Sequence, residues 1–282
     1  MANRLLLSAI LFARTIEAVN RSNPRFNRLW IRPGFWGVPL IALIGMAVIQ
    51  VADLNLPLFL WFNGLSRYTG ELLWSHLTLL GDGVVALVLV LPFVGRRPDI
   101  VRAMMIAALL AMIWALGLKP LVGAMRPAAL LPADALTVIG PVLKQHSFPS
   151  GHTTTIFTLA GVLFLHSKSW GVRLALLSMA VLVGCSRMVV GAHWPVDVLA
   201  GAFGGWLAAG FGTLLAPHWK TGLRPTAQRS FALLLTILAV WLLMYHRTGD
   251  LDVTVFQRAI AVSSLVLALP GLWRLKREQQ YP

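Results

Sequence analysis

The sequence predicts an all-α fold, a polytopic transmembrane helical bundle of about eight spans. Hydrophobic residues make up 57% of the 282 residues, and only 12% are charged, about half the fraction usual in a soluble domain. The apolar residues form continuous runs rather than an alternating pattern, and a helix of about 20 such residues crosses a bilayer. The single cysteine excludes an internal disulfide framework and a multi-cysteine metal site.

The N-terminal segment, residues 1–34, is basic and is predicted to form an amphipathic helix on the inner membrane surface. Its apolar run is too short to cross a bilayer. Residues 35–216 contain six longer runs, which predict a six-span core, and residues 217–282 contain two more. The eight runs lie at residues 35–53, 74–95, 100–119, 151–167, 171–190, 196–216, 230–246 and 254–273.

Basic residues are distributed unevenly between the predicted loops. When the N-terminus is placed in the cytoplasm, most of the 24 basic residues fall on the inner side, as the positive-inside rule requires. Both termini are therefore predicted to be cytoplasmic. The net charge of +14 is explained by these loops and anionic lipids, so nucleic-acid binding is not expected. Three basic residues oppose the rule at outer span ends, namely Lys119, Arg126 and Arg187.

Lys119 and Arg126 form the first of three groups of polar residues on the predicted outer face. They flank the hexapeptide PLVGAM at the end of the third run, and two fixed cations about two turns apart can hold one dianion. Basic residues at the end of a span are also common anchors for lipid headgroups. Both interpretations remain open for this group alone.

The second group is the tetrapeptide Pro149-Ser150-Gly151-His152, which precedes the fourth apolar run. Ser150 is suited to the N-cap position of a helix, and Gly151 allows a ligand to approach the backbone closely. The free N–H groups of a helix start bind anions, so His152 would lie beside an anion site. An ordinary helix cap with an interfacial histidine explains the same four residues.

The third group consists of Ser186 and Arg187, followed by His193 and Asp197. The last two are four residues apart, so they share one face if a helix begins near Trp194. Such a pair can activate a histidine for proton transfer or nucleophilic attack, and an arginine can bind an oxyanion in a bidentate manner. Taken singly, these residues also fit a snorkelling arginine and an interfacial histidine. The coincidence of all three groups on one membrane face favours a phosphate site.

The motifs Lys-x6-Arg-Pro, Pro-Ser-Gly-His and Ser-Arg-x5-His-x3-Asp, in this order, resemble the three-part signature of the type 2 phosphatidic acid phosphatase family. The resemblance covers about residues 35–216. It implies that His193 attacks phosphorus to form a phosphohistidine and that Asp197 orients the ring. It also implies that His152 serves as acid and then as base. The phosphate-binding residues that it implies are Lys119, Arg126, Ser150, Gly151 and Arg187.

The resemblance implies a metal-independent phosphoric monoester or diphosphate hydrolase without a cofactor, because fixed cations do what magnesium does elsewhere. It implies a lipid phosphate substrate, reached on the periplasmic face of a bacterial inner membrane. Undecaprenyl diphosphate is favoured, while phosphatidylglycerol phosphate, phosphatidate and lipid A remain open. Two alternatives also remain, a phosphotransferase from undecaprenyl diphosphate to lipid A and a transporter or flippase that binds lipid headgroups. The oligomeric state and the role of residues 217–282 are not predicted.

The sixth apolar run carries small residues at intervals of four, at Gly201, Gly205 and Ala209. Small residues on one face allow two helix backbones to approach each other closely. This face is therefore predicted to pack against another helix of the bundle.

Overall fold

A computed structural model describes residues 33–245 and 251–280. Every regular element in these residues is helical, which confirms the predicted all-α fold. The α-helices are α1 (Pro33–Val51), α2 (Asn55–Asn63), α3 (Ser66–Thr69), α4 (Glu71–Leu79), α5 (Gly83–Val88), α6 (Pro98–Val122), α7 (Pro127–Leu130), α8 (Gly151–His166), α9 (Trp170–Val189), α10 (Pro195–Leu215), α11 (Pro225–Met244) and α12 (Leu251–Gln280). Two short 3₁₀ segments are Leu91–Phe93 and Lys220–Leu223.

The chain is a multi-pass membrane protein, but the predicted count of about eight spans is not confirmed. Within the described ranges, five helices are long and apolar enough to cross a membrane, namely α6, α9, α10, α11 and α12. The count rises to seven if two bent pairs each form one span. Part of the difference is α8, whose 16 residues fall short of a typical crossing of about 20. The amphipathic helix predicted for residues 1–34 lies outside the described residues, apart from the start of α1.

The second apolar run, predicted as one span over residues 74–95, is instead broken into α4 and α5, which meet at 57°. Asp82 lies at the break and is the N-cap of α5. Its Oδ1 accepts two backbone N–H groups of the first turn of α5, at 2.8 and 3.1 Å. The sequence did not predict this break, because the mean hydropathy of a run of about 20 residues hardly changes when it contains one capping residue between two glycines.

The chain between the first two predicted spans is also helical, which the sequence did not predict. Here α2 and α3 form the second limb of a bent pair whose first limb is α1, with an angle of 109° between them. The side chain of Asn63, at the end of α2, is only 3% exposed. This limb therefore packs onto the bundle.

Helices α8 and α10 form the centre of the bundle, and small residues bring their backbones together. A Cβ atom added to Gly201 would lie 2.7 Å from the carbonyl oxygen of Ser150, and one on Gly205 would meet a carbonyl of α8. A Cβ added to Gly161 would lie 2.7 Å from the Cβ of Ala209. The predicted close packing of this small-residue face is confirmed. As a consequence, the N-terminal ends of α8 and α10 lie side by side.

The two C-terminal helices, α11 and α12, pack on each other and on the broken span α4–α5. Gly95 and Gly271 face each other so closely that a Cβ atom on either would overlap the backbone of the opposite segment. The side-chain amide of Gln257 on α12 donates a hydrogen bond of 2.6 Å to the carbonyl of Leu242 on α11. The C-terminal pair therefore belongs to the same bundle and lies against α4 and α5.

Candidate active site

The three residue groups singled out in the sequence converge at one end of the bundle. Lys119 lies near the end of α6, Arg126 just before α7, and His152 in the first turn of α8. Arg187 lies in the last turn of α9, and His193 lies in the short loop before α10. The three cations are close enough to act electrostatically on both histidines. The site is thus assembled from the ends of four long helices.

His193 is almost fully buried, with 2% of its surface exposed, and both ring nitrogens face polar groups. Its Nδ1 lies 3.4 Å from Oδ2 of Asp197, and its Nε2 lies 3.3 Å from Nη1 of Arg126. Burial, together with the charges of Arg187, Arg126 and Lys119, holds the pKa of His193 well below its usual range. The imidazole is therefore neutral at pH 7, which is the protonation state that a nucleophilic histidine requires.

Asp197, in the first turn of α10, is held by two hydrogen bonds to the same oxygen. Its Oδ2 accepts from the hydroxyl of Ser147 at 2.5 Å and from the backbone N–H of Trp194 at 2.9 Å. The predicted bond from His193 is present only as a contact, because 3.4 Å is longer than a well-formed N–H···O bond. Catalytic hydrogen bonds are often long in free enzymes and shorten when substrate binds.

Ser147 is fully buried and was not predicted to belong to the site. Besides its bond to Asp197, its backbone lies against the ring of His193. A serine three residues before the Pro-Ser-Gly-His motif carries no distinctive sequence signal, since serine is common in loops. Only the folding of the loop onto α10 brings it to the carboxylate.

Arg126 is held on several sides by backbone carbonyl groups and is 5% exposed. Its Nε donates to the carbonyl of Gln145 at 2.9 Å, and its Nη1 donates to that of Ala192 at 3.0 Å. Its Nη2 lies 3.4 Å from the carbonyl oxygen of His146. The guanidinium thus connects the loop before α8 to the chain that leads into His193. A fixed charge in this position is suited to binding an oxyanion.

Arg187 is 7% exposed and has one anchored and one unpartnered donor. Its Nη1 donates a hydrogen bond to the hydroxyl of Thr78 on α4. Its Nε is buried and has no hydrogen-bond partner among the described residues. A buried donor without a partner costs about 1–3 kcal/mol. An anion that accepted a hydrogen bond from Nε would therefore gain affinity from this group.

Ser150 is the N-cap of α8, as the sequence predicts: its hydroxyl oxygen accepts from the backbone N–H of Thr153 at 3.4 Å. The backbone N–H of Ser150 donates to the carbonyl of Asp197 at 3.0 Å, which joins α8 to α10. This N–H is therefore engaged within the protein, and the predicted role of Ser150 and Gly151 in binding phosphate stays a prediction. Gly151 and His152 follow in the first turn of the helix, where N–H groups lack intrahelical partners.

The loop that carries Ser147 is fixed by Asn63, which was also not predicted. The side-chain oxygen of Asn63 accepts from the backbone N–H of Thr137 at 2.8 Å. Its amide nitrogen donates to the carbonyls of Thr137 at 2.8 Å and Val189 at 2.9 Å. Asn63 thus joins α2, the loop between α7 and α8, and the end of α9 near Arg187. A single asparagine in an apolar run gave the only signal, and it does not specify these distant partners.

The side chains around the two histidines are cations rather than metal ligands. In the described part of the chain, groups of three or more His, Cys, Asp or Glu residues that could hold a metal ion are not found. Lys119, which is half-buried, completes the set of three cations with Arg126 and Arg187. The expected independence of metal ions stays a prediction, to be tested below.

An apolar cavity of about 530 Å³ leads away from His152. It is bounded by the start of α8, the start of α5 and one face of α6, where Ala108 and Ala111 line it. Leu109 and Met112 also line the cavity and are more than half exposed on the outside of the bundle. The cavity therefore runs from His152 to the exposed face of α6.

Comparisons with known proteins agree on one family. Residues 100–221 match the PAP2 superfamily. An undecaprenyl-diphosphatase of Sulfolobus acidocaldarius is 33% identical over 161 residues, which are 56% of this chain and 69% of that protein. A lipid A 1-phosphatase of Rhizobium etli is 46% identical over 63 residues, only 22% of this chain and 26% of that protein. The crystal structure of Aquifex aeolicus LpxE superposes on this chain with a TM-score of 0.53 and 31% sequence identity. The match covers 56% of this chain and 94% of the LpxE chain.

A neutral, buried histidine among three fixed cations is suited to phosphoryl transfer, and it lies at one end of a bundle of apolar helices. The chain belongs to the PAP2 superfamily, the type 2 phosphatidic acid phosphatases, and is a membrane lipid phosphatase. The matched residues 100–221 contain all three residue groups. Helices α11 and α12 lie beyond this match.

Proposed function

We propose that this phosphatase hydrolyses undecaprenyl diphosphate through a phosphohistidine formed on His193. The observation that carries the proposal is the position of the His193 ring. With Nδ1 towards Asp197, the lone pair of Nε2 is on the side of Arg126, 3.3 Å away. A phosphate bound by Arg126 would bring its phosphorus atom within reach of Nε2.

In the proposed first step, Nε2 of His193 forms a bond to phosphorus while the bond to the leaving oxygen breaks. His152 donates a proton to that oxygen, and Asp197 stabilises the positive charge on the imidazole. In the second step, His152 removes a proton from water, which attacks phosphorus and releases His193. The groups that hold the equatorial oxygens are Lys119, Arg126, Arg187 and the first N–H groups of α8, and they act where negative charge develops.

The choice of substrate is supported by the cavity and by one relative. The undecaprenyl-diphosphatase is aligned over 69% of its length, whereas the lipid A 1-phosphatase is aligned over 26%. The apolar cavity that ends at His152 would hold the part of a hydrocarbon chain nearest the phosphate. Phosphatidylglycerol phosphate, phosphatidate and lipid A are the comparison substrates for a parallel assay of the purified protein.

The substitution Ala111→Trp, which fills the cavity, is expected to weaken binding of the long-chain substrate. Loss of contact with two methylene groups corresponds to roughly a tenfold rise in KM, while kcat/KM for a short-chain prenyl phosphate stays within about twofold. Steady-state phosphate release measures both quantities. The matched control is Ile113→Trp on the same helix, because Ile113 is 59% exposed on the lipid-facing side. If the two substitutions had equal effects, or if Ala111→Trp had no effect, the hydrocarbon chain of the substrate would not bind in this cavity.

Catalysis by fixed cations predicts activity that does not depend on a divalent metal ion. Phosphate release should persist in excess EDTA, since Lys119, Arg126 and Arg187 replace the metal. Vanadate should inhibit, because it adopts the trigonal-bipyramidal geometry of the transition state. The measurement is the rate of phosphate release by detergent-solubilised protein. Activity that EDTA abolishes and magnesium restores would contradict the proposed mechanism.

The same assay separates hydrolysis from the two alternatives. A phosphotransferase would release no phosphate from undecaprenyl diphosphate unless a lipid acceptor such as lipid A were added. A transporter or flippase would bind the headgroup and release no phosphate at all. Phosphate release from undecaprenyl diphosphate in the absence of an acceptor is the expected result.

A further inference from the structure

One turn of chain at the break between α4 and α5 touches two residues of the site. The hydroxyl of Thr78 accepts a hydrogen bond from Nη1 of Arg187. Gly81 packs so closely on the start of α8 that a Cβ atom there would lie 2.8 Å from the Cβ of His152. Both residues precede the segment matched to the family, residues 100–221. The site therefore has a fourth structural element besides its three sequence motifs.

The bond from Thr78 determines which way the guanidinium of Arg187 faces. A guanidinium is planar, with its donors in a fixed arrangement, so anchoring Nη1 also orients Nε. This Nε is buried and has no partner among the described residues. It is therefore available to donate a hydrogen bond to a ligand. The backbone carbonyl of Arg187 accepts from the N–H groups of Ala192 and His193, at 3.0 and 3.1 Å. Arg187 is thus fixed at both its backbone and the tip of its side chain.

The C-terminal helices support the turn that carries Thr78. Helix α12 packs on α4 and α5, and α11 packs on α5. The rings of His76 on α4 and Phe256 on α12 are 4.9 Å apart. Packing on this side opposes movement of α4 away from α9, where Arg187 lies. This contact suggests one structural contribution of residues 217–282.

We propose that Thr78 is a positioning residue for the phosphatase reaction. Its hydroxyl holds Arg187 in the orientation in which the unpartnered Nε donates to an equatorial oxygen of the phosphate. The inference rests on the proposed function, since it takes Arg187 as a phosphate ligand. Gly81 has a complementary role, because its missing side chain leaves the space that the first turn of α8 and His152 occupy.

The test replaces Thr78 with valine, which keeps the branched shape and removes the hydroxyl. The substitution Thr78→Val is expected to lower kcat/KM about tenfold and to weaken vanadate inhibition by a similar factor, as expected for loss of a hydrogen bond to a charged group. Thr78→Ser should restore both. The control is Ser75→Ala on the same helix, because that hydroxyl bonds the backbone carbonyl of Glu71, at 3.1 Å. Its kinetics should match the wild type.

A double-mutant cycle tests whether Thr78 acts through Arg187. In an Arg187→Ala background, Thr78→Val should have no further effect on kcat/KM or on vanadate inhibition. Wild-type values for Thr78→Val, or an undiminished effect in the Arg187→Ala background, would overturn the inference. Should Thr78→Val elute as an aggregate in size-exclusion chromatography, Thr78→Ala takes its place in the same cycle. Wild-type activity of Arg187→Ala would instead refute the proposed phosphate site, independently of Thr78.

Discussion

Replacing His193 with alanine is expected to lower kcat for lipid phosphate hydrolysis by about 10⁴-fold, the scale of losing one member of a catalytic triad. The ring is buried and neutral, and Arg126 lies 3.3 Å from its Nε2. Alanine leaves the three cations in place but removes the atom that is proposed to bond to phosphorus. The variant should therefore still bind the lipid phosphate but should not hydrolyse it.

The direct measurement is a rapid quench in alkali after mixing the protein with ³²P-labelled substrate. The wild type should carry an alkali-stable, acid-labile label, and the His193→Ala variant should carry none. The control is His218→Ala near the far end of α10, where the ring nitrogen Nδ1 lies 3.2 Å from the carbonyl oxygen of Leu214. His218 is roughly 30 Å from the site along the helix, so the His218→Ala variant should have the activity of the wild type. Full phosphate release by His193→Ala would refute the nucleophile assignment.

The second large effect is expected from Asp197→Asn, with a fall in kcat approaching the roughly 10⁴-fold seen when the carboxylate partner of a catalytic histidine is replaced by an amide. In the wild type, the hydroxyl of Ser147, the N–H of Trp194 and Nδ1 of His193 all face the same oxygen of Asp197. An asparagine oxygen in that position can accept from the same groups, so the local structure should be kept. What is lost is the negative charge that stabilises the imidazolium form.

Asp197→Ala separates this charge effect from a structural effect. Alanine removes the acceptor altogether and leaves the buried hydroxyl of Ser147 unsatisfied, which costs about 1–3 kcal/mol. Thermal unfolding in detergent should therefore occur at a lower temperature in Asp197→Ala than in Asp197→Asn, which should remain close to the wild type. If Asp197→Asn kept the kcat of the wild type, the charge of Asp197 would have no part in catalysis.

Local patterns predicted those parts of the site that depend on residues near each other in sequence. Ser150 caps α8 as its residue type indicates, and α10 begins at Pro195, one residue after the predicted position. His193 precedes this start and lies in the loop, yet its Nδ1 is 3.4 Å from Oδ2 of Asp197, as expected for a pair at the beginning of the helix. The convergence of the cations followed from topology, since their span ends lie on the same predicted membrane face.

The sequence by itself thus determined the membrane-embedded all-α class, the three motifs and the reaction that their residues serve. Only the tertiary structure showed that Ser147 holds Asp197, that Asn63 fixes the loop between α7 and α8, and that Thr78 anchors Arg187. These partners are 50, 74 and 109 residues apart, and a serine, asparagine or threonine has the same sequence signal whatever it contacts. The same holds for the cavity, because its shape depends on how α5, α6 and α8 pack, and helix periodicity does not define that packing.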